Sequence, residues 1–295
     1  MKDLIKRLGL RLARPIDQLH YYFNFFDWKR SDHLSALNRQ TQLLLSLQYR
    51  AWQRMGMPRL RFDEVEFRSF SQHGEDGILL YIFSLIEPTD RRCVEICAGD
   101  GVECNTANLV VNHGWTALMV DGDLHKLRFG RAFYARHLNT LHRPPQLVHA
   151  WVERDNVNAI IAEHGMTGEI DLLSLDMDGV DYWIWESINC IQPRVVVLEY
   201  NAALGHRHCL SVPYRPDFRR RGAHWGASLP AFVKLGRQKG YRLVGCDSSQ
   251  VNAFFVRAGI GEESLPEVEA AACFASPATG SARPSQAVPG EWVEV

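Results

Sequence analysis

Three aspartates lie close together near the middle of this 295-residue chain. They are Asp176, Asp178 and Asp181, in the stretch LLSLDMDGVDYWIW. Carboxylates this close repel one another unless they point apart or a positive group lies between them. The apolar residues before them indicate a buried strand, and ligands bind at the carboxyl ends of parallel strands. We therefore predict that Asp176 and Asp178 lie at a binding site, whereas Asp181 is expected to begin the next helix as its N-cap.

Polar residues from two other segments are expected to join this site. Glu199 and Asn201 end the following strand, and His224 lies in the loop RRGAHWGASL. In one mechanism Mg²⁺ or Mn²⁺, held by oxygen ligands from Asp178, Glu199 and Asn201 or from the other aspartates, lowers the pKa of an acceptor hydroxyl. In the other, no metal takes part and a base removes the proton. The candidate catalytic residues are Asp176, Asp178, Glu199 and His224.

A glycine-rich turn in VEICAGDG, residues 94–101, forms a second candidate site. Gly99 and Gly101 allow the backbone to approach a ligand closely. Asp121 ends the next strand, where a carboxylate can accept hydrogen bonds from both hydroxyls of a ribose. Glu95, inside the first strand, either meets an amine of the ligand or orders the turn. The pattern predicts nucleoside binding, although Cys104 stands where the dinucleotide motif has its third glycine or alanine.

Alternating strand-like and helix-like segments are predicted to position these residues, from residue 67 to about 258. Strands are predicted at residues 92–97, 116–120, 146–149, 170–175 and 194–199, and helices at 107–113, 124–137, 157–164, 182–190 and 229–239. This order predicts a parallel sheet that helices cover on both faces. The last two strands, in YRLVGCD and NAFFVR, are joined so closely that only a hairpin fits, which makes the final strand antiparallel.

Both ends of the chain differ from this pattern. Residues 1–66 are predicted to be a helical extension, and residues 1–61 hold twelve Lys or Arg against four Asp or Glu. This extension either packs on the main domain or serves as a membrane-surface patch, a homodimer interface or a lid. Residues 259–295 are expected to be a disordered tail, because they become rich in Ala, Pro, Gly and Ser.

Composition limits the class of protein. Hydrophobic residues make up 46% of the chain and the net charge is -1, which fits a sizeable globular domain and gives no global field that attracts nucleic acid. Seven cysteines without a CxxC pair favour a reducing compartment. The chain has no apolar run of membrane-spanning length, and charges interrupt the start MKDLIKRLGLRLARP, so we expect a cytoplasmic protein with possible contact at the inner membrane surface.

Residues from about 68 to 258 resemble the FkbM-like branch of class I S-adenosylmethionine-dependent methyltransferases. The resemblance is carried by the order and spacing of SQHGEDGILLYIF, VEICAGDGVECNT, GWTALMVDGD, IDLLSLDMDGVDYWIW, VVVLEYN, HWGASL, KGYRLVG and NAFFV. It implies an α/β Rossmann-like fold with a mostly parallel seven-stranded sheet. In two places the sequence departs from the usual pattern: Cys97 stands where glycine is usual, and Asp178 replaces a glutamate.

The resemblance also implies S-adenosylmethionine as the cofactor. The loop SQHGEDG then either folds over the methionine end of that cofactor, or Ser71 simply caps the following helix, whose first-turn acids suit its dipole. The expected cofactor-binding residues are Gln72, Glu75, Glu95, Gly99, Asp100, Gly101, Asn105, Thr106 and Asp121.

We predict an O-methyltransferase that acts on a sugar hydroxyl of a surface glycan or glycolipid precursor. The arginines of PYRPDFRRRGAHW either bind a phosphorylated or carboxylated sugar or form a solvated charge run. Two alternatives are open. A glycosyltransferase would use Asp176 and Asp178 to hold Mn²⁺ and a nucleotide sugar, and a non-catalytic subunit would keep the fold to recruit a glycan assembly complex.

Overall fold

The computed structural model describes residues 39–274 and 289–295. Its helices are α1 (Arg39–Arg54), α2 (Phe62–Val65), α3 (Glu75–Ile86), α4 (Ala107–His113), α5 (Leu124–Arg136), α6 (Val157–Glu163), α7 (Asp181–Ser187) and α8 (Leu229–Gln238). Its strands are β1 (Arg92–Ile96), β2 (Thr116–Asp121), β3 (Gln146–His149), β4 (Gly168–Leu175), β5 (Ile191–Glu199), β6 (Leu210–Ser211), β7 (Tyr241–Cys246), β8 (Asn252–Arg257) and β9 (Val293–Glu294). Within these ranges no helix has both the length and the apolar character needed to cross a membrane.

Seven of these strands form one sheet in the order β3-β2-β1-β4-β5-β8-β7. The neighbours from β1 to β5 pair in parallel, whereas β8 runs antiparallel to both β5 and β7. The predicted fold class is confirmed, including the antiparallel final strand. The strand order reverses between β1 and β4, so the crevice that binds ligands in open parallel sheets lies at their carboxyl ends.

The apolar runs of the central strands explain why the sheet is covered on both faces. In β4 and β5 nearly every residue is buried, as expected for parallel strands between two helical layers. On one face Trp185 of α7 packs against Phe255 of β8, with ring centroids 5.3 Å apart, and against Phe232 of α8. Trp185 is almost completely buried and fills the core on this face.

Helices α1 and α2 pack into the same compact unit as the sheet. That unit runs from Arg39 to Val295, so the described part of the predicted N-terminal extension does not stand apart. The buried Gln42 of α1 explains the docking, because its amide donates to Asn108 Oδ1 of α4 at 3.1 Å and accepts from Asn108 Nδ2 at 3.0 Å. The helix predicted within residues 1–38 lies outside the described residues.

The C-terminal region also differs from the expected disordered tail. The Arg242 guanidinium donates to the carbonyl oxygens of Arg257, Ile260 and Leu265 and thereby ties the segment after β8 to β7. Further along, β9 pairs antiparallel with β6. Both contacts join residues that are distant in sequence, which composition does not reveal. Residues 275–288 lie outside the described part.

A buried ion pair fixes the turn that leads into β1. The Asp171 carboxylate in β4 accepts hydrogen bonds from the amides of residues 89–91 and pairs with Arg194 Nη1 of β5 at 3.0 Å. Burial acts to raise the pKa of Asp171, but the Thr89 amide, Arg194 and the other amides together lower it below its ordinary value. This carboxylate therefore sets the start of β1 relative to β4 and β5.

We expect Asp171→Asn to lower the free energy of unfolding by about 3 kcal/mol, because it leaves the buried Arg194 guanidinium without its counter-charge. Chemical denaturation monitored by circular dichroism measures the change. The matched control is Asp155→Asn, an exposed aspartate for which we expect a change within about 0.5 kcal/mol. Equal effects of the two substitutions would contradict the role assigned to Asp171.

Candidate functional site

The glycine-rich turn after β1 leaves open space in front of one of its two glycines. Cys97, Gly99 and Gly101 all have left-handed backbone angles, with φ of 61°, 61° and 71°. A Cβ built on Gly99 would meet nothing within 4 Å, whereas one on Gly101 would come within 2.9 Å of the Leu147 side chain. Gly99 is therefore the position where a ligand can approach the backbone, and Gly101 allows the turn to pack against the neighbouring strands.

Asp121, at the end of β2, holds this turn and remains accessible. Its Oδ2 accepts from the Gly99 amide at 2.8 Å, and its Oδ1 accepts from the Asp123 amide at 2.7 Å. Each carboxylate oxygen can accept more than one hydrogen bond, and the residue is only half-buried, so capacity remains for a ligand hydroxyl. The geometry fits the predicted ribose contact.

Glu95 orders the loop after the turn. Its Oε1 accepts from the Asn105 amide at 2.9 Å, and its Oε2 accepts from the Thr106 amide at 2.9 Å and from the Thr106 hydroxyl. These bonds show the ordering role of Glu95, and its contact with a ligand stays a prediction. Asn105 Nδ2 donates to Ser174 Oγ of β4, and Thr106 is fully buried, so both belong to the support of the loop.

Helix α5 braces the same loop from outside. Asp100 Oδ1 accepts from the amides of Val102 and Glu103, which closes a tight turn. A Cβ on Gly130 of α5 would lie 1.9 Å from the Asp100 carbonyl oxygen, so only glycine permits this approach of helix to loop. The Tyr134 hydroxyl of α5 donates to the Gly101 carbonyl.

The loop before α3 is built around an acid that the sequence analysis did not single out. Asp76 Oδ2 accepts from the amides of residues 69, 70 and 71, and burial raises the pKa of Asp76 to about 6 against the effect of these bonds. Ser71 does bond to the Asp76 amide, although α3 begins at Glu75 with Gly74 as its N-cap.

The two residues of this loop that were expected to meet the cofactor have partners within the chain. The buried Glu75 carboxylate accepts from the His73 amide and from Asn252 Nδ2. The exposed Gln72 donates to Glu103 Oε1 at 2.8 Å, across to the glycine-rich loop. Contact of either with a cofactor stays a prediction.

Asp176 lies next to the glycine-rich turn. Its amide donates to the Ile96 carbonyl at 3.4 Å, which places it beside Cys97. Burial raises the pKa of the Cys97 thiol, and Asp121, Asp181, Asp176 and Asp178 contribute in that order. The thiol thus lies near the four aspartates of the candidate site.

Asp176 and Glu199 form a carboxyl pair that shares a proton. Burial is the largest cause that raises the pKa of each, and a hydrogen bond between the two lowers the pKa of Asp176 and raises that of Glu199. The raised pKa values of both groups favour a single proton held by the pair. Glu199 Oε2 is buried without a hydrogen-bond partner among the described residues.

Asp178 and Asp181 have other partners. Asp178, at a left-handed φ of 55°, turns toward solvent and pairs with Arg220. Asp181 is the first residue of α7 rather than its N-cap, and its carboxylate accepts from the amides of Met177 at 2.7 Å and Gly179 at 3.1 Å. Burial raises the pKa of Asp181 to about 6. The three aspartates thus point apart, and amides and an arginine separate them.

The predicted metal ligands do not converge. Asn201 Oδ1 accepts from the Ala203 amide, and its Nδ2 donates to the carbonyls of Ala223 and Trp225, so both side-chain atoms bind the chain itself. Asp178 is paired with Arg220 at the surface. Across residues 39–274 and 289–295, no three His, Cys, Asp or Glu side chains are grouped so that they could hold an ion. The prediction of a metal site at Asp178, Glu199 and Asn201 is not supported.

The segment that contains β9 contacts His224. The His224 ring nitrogen Nε2 lies 2.9 Å from the Glu291 carbonyl oxygen, and its ring packs edge-on against Trp292 at 5.0 Å. Arg215 pairs with the Glu291 carboxylate at 2.6 Å. A direct role for His224 in proton removal stays a prediction, and in this structure its ring is engaged by the C-terminal segment.

The arginine-rich loop lies over the carboxyl end of the sheet. Phe218 packs against Gly179, because a Cβ built on Gly179 would lie 2.8 Å from the Phe218 ring. The Arg220 guanidinium stacks on the Trp225 ring, 4.4 Å from its centroid. Arg219 stacks at 4.6 Å on Trp151, whose indole is 2.9 Å from a Cβ built on Gly122. Trp151 therefore lies beside the end of β2, a position that the sequence analysis missed, although an aromatic residue directly after a strand was a usable signal.

A well-formed cavity lies elsewhere in the fold. It has a volume of about 440 Å³ and lies beside the edge strand β7, with Arg59, Phe62, Cys246 and Cys273 among its lining residues. It contains none of the predicted site residues, and β7 is at the opposite side of the sheet from β2. We therefore place the candidate site at the glycine-rich turn and not in this cavity.

Several solved structures with partial similarity to this chain are methyltransferases. One similar structure is an S-adenosylmethionine-dependent methyltransferase from Clostridium acetobutylicum ATCC 824, with 12% identity, coverage of 63% of this chain and 91% of that chain, and a TM-score of 0.40. Another is the glycopeptide N-methyltransferase MtfA with S-adenosyl-L-methionine, at 12% identity, 59% and 84% coverage and a TM-score of 0.38. The methyltransferase domain of bacterial-CtHen1-CN matches at 14% identity, 61% and 96% coverage and a TM-score of 0.39.

No family model matches the chain, and no curated protein matches it. Likeness at these identities concerns the fold alone. The FkbM-like branch, the acceptor and the cytoplasmic location accordingly stay predictions. The strand order and the antiparallel β8, seen directly in the structure, carry the assignment of the fold.

We expect Cys97→Val to lower the free energy of unfolding by about 2 kcal/mol more than Cys97→Gly. The left-handed backbone at this position suits glycine and is most costly for a β-branched residue. Thermal and chemical denaturation of both variants measure the difference. As a matched control, the same two substitutions at Cys190, which has no left-handed backbone, should not favour glycine. A valine variant as stable as the glycine variant at position 97 would contradict the argument.

Glu199→Gln should make stability less dependent on pH. The pKa of Glu199 is raised in the folded state. The contribution of Glu199 to stability is therefore complete below its pKa in the unfolded chain, which is near 4. That contribution is lost as the pH rises toward its pKa in the folded chain. At pH 8 we expect the variant to be more stable than the wild type by about 2 kcal/mol, and at pH 4 to be about equal. Urea denaturation across this range tests it. The exposed Glu163→Gln should leave the pH profile unchanged, and a parallel profile for Glu199→Gln would refute the shared proton.

Proposed function

We propose that this protein is an S-adenosylmethionine-dependent methyltransferase that methylates oxygen. The observation that carries the proposal is the open space at Gly99, bordered by the Asp121 carboxylate and lying next to the Asp176–Glu199 pair. Within the class, the resemblance of residues 68–258 supports the FkbM-like branch. That branch favours a sugar hydroxyl of a surface glycan or glycolipid precursor as the acceptor.

The residues present fit the cofactor that the fold implies. The backbone at Gly99 permits close approach, and Asp121 has remaining capacity to accept hydrogen bonds from ribose hydroxyls. Bound there, the cofactor would supply a methyl group made electrophilic by a sulfonium. The glycine-rich loop needs no rearrangement for this, because Glu95, Asp100 and Tyr134 already hold it.

Asp176 is the residue best placed to accept the acceptor's proton. Its pKa is raised to about 7, chiefly by burial, while the bond from Glu199 limits the rise. A base with a pKa near the working pH combines a useful ionised fraction with useful basicity and contributes about a hundredfold or more to rate. The hydrogen bond with Glu199 orients Asp176. Activity should therefore rise with pH through the pKa of Asp176.

The partners of Asp176 and Asp178 weigh against the glycosyltransferase alternative. In that reaction both carboxylates would hold one Mn²⁺ with a nucleotide diphosphate. Asp176 instead pairs with Glu199, and Asp178 turns to Arg220. The alternative also leaves the open space at Gly99, beside Asp121, without a use.

The first experiment measures ligand binding. We expect S-adenosylhomocysteine to bind in isothermal titration calorimetry and Asp121→Ala to weaken it by about a hundredfold, since two hydrogen bonds to a charged group are lost. Asp155→Ala should bind as the wild type does. A UDP-sugar is titrated in parallel. If the UDP-sugar binds and S-adenosylhomocysteine does not, the proposal fails and the glycosyltransferase is preferred.

The second experiment tests transfer in cells. Mass spectrometry of host glycans with and without the protein should show the loss of one CH₂ unit per methylated residue when the protein is absent. Wild-type protein should restore the mass and Asp176→Asn should not, whereas Asp155→Asn should restore it. Binding of S-adenosylhomocysteine by Asp176→Asn shows that the variant is folded, and full restoration by that variant would exclude Asp176 as the base.

A further inference from the structure

Helix α1 presents an apolar stripe to solvent. Leu43, Leu44 and Leu47 are 45%, 67% and 61% exposed, and Met55, just beyond the helix, is 64% exposed. With Ala51 these positions recur at intervals of three and four residues, so they lie on one side of the helix. Large apolar side chains exposed in a contiguous group mark an interaction surface, whereas single ones do not.

The opposite side of α1 packs against the domain. Gln42 and Tyr49 are buried there, and Tyr49 packs edge-on against Tyr81 of α3 with ring centroids 5.0 Å apart. The stripe is therefore not part of the core. It must be explained by something that lies outside the described domain.

The charge around the stripe is entirely positive. Residues 39–61 contain five arginines and no aspartate or glutamate. Arg50 pairs with Glu87 of the neighbouring segment at 3.3 Å, and Arg61 pairs with Asp63. Arg39, Arg54 and Arg59 have no acidic partner among the described residues. At helical spacing, Arg39, Arg50 and Arg54 lie along one flank of the leucines.

We propose that α1 is a membrane-binding helix that lies in the surface of an anionic bilayer. The leucines enter the boundary between headgroups and acyl chains, and the flanking arginines meet acidic headgroups, as in interfacial amphipathic helices. A stripe that served a second copy of the chain would gain nothing from Arg39, Arg54 and Arg59, which have no acidic partner among the described residues. Charge complementarity therefore selects the acidic lipid surface as the occupant.

Helix α1 is of suitable size for this role. Its 16 residues give a length of about 24 Å, and it is neither long nor apolar enough to span the bilayer. The contact is therefore peripheral and reversible, and raised salt should weaken it. It does not depend on methyl transfer, and its test uses no activity measurement.

The test is co-sedimentation of the full chain with vesicles. Wild-type protein should sediment with phosphatidylcholine vesicles that contain phosphatidylglycerol and should sediment much less with phosphatidylcholine alone. Leu44→Glu with Leu47→Glu should lower the partition coefficient more than about tenfold. Arg39→Glu with Arg54→Glu should lower it by about fivefold or more for each charge.

Matched control variants separate the stripe from general effects. Leu138, which is 83% exposed, and the exposed Arg143 belong to the segment after α5, so Leu138→Glu with Arg143→Glu changes the same residue types outside α1. This variant should bind vesicles as the wild type does. Circular dichroism and thermal melting confirm that each variant is folded, which is expected because the substituted side chains are exposed.

Other outcomes would overturn the proposal. Wild-type protein that does not sediment with acidic vesicles excludes the lipid surface and indicates that the stripe is covered by another part of the chain. A wild-type dimer in light scattering that Leu44→Glu with Leu47→Glu converts to a monomer, without a change in vesicle binding, assigns the stripe to a second copy. Equal losses in the stripe variant and the Leu138 control also contradict it.

Discussion

The arrangement of the candidate site depends on the buried carboxylate of Glu95. A charge inside a parallel strand is costly unless hydrogen bonds compensate it, and here the amides of Asn105 and Thr106 and the Thr106 hydroxyl do so. Because these donors belong to the loop after the glycine-rich turn, the requirement to satisfy Glu95 fixes where the loop begins. With the loop in this position, Gly99 faces open space and the Gly99 amide donates a hydrogen bond to Asp121.

The acidic cluster is stable because its members do not share one role. Asp181 accepts a hydrogen bond from a backbone amide of its own turn. Asp178 forms an ion pair with Arg220 at the surface. Asp176 and Glu199 share a proton. The sequence raises the question of which positive group lies among these acids. The structure answers with protons, amides and an arginine, and no metal is needed to explain the cluster. A site of this kind is complementary to a positively charged ligand, which agrees with the sulfonium cofactor that we propose.

The sequence predicts the parts of the structure that depend on local patterns. Apolar runs and a short connection predict the strands and the antiparallel β8. Because parallel strands end at one edge, Asp121, Asp176 and Glu199 are expected at the same edge of the sheet, where β2, β4 and β5 end. The sequence does not reveal which atoms each acid bonds to. The ordering role of Glu95, the pairing of Asp178 with Arg220 and the contact of β9 with β6 all join residues far apart in the chain. Such contacts depend on exact distances rather than on spacing in the sequence.

The close approach of α5 to the glycine-rich loop has a thermodynamic consequence. Because Gly130 brings the helix against the Asp100 carbonyl and Tyr134 bonds to Gly101, the loop loses its conformational freedom when the protein folds. A ligand that binds beside it has little further backbone entropy to remove. The loop is therefore expected to bind its ligand without rearrangement. The affinity then depends on the contacts made with the ligand, with little cost for ordering the backbone.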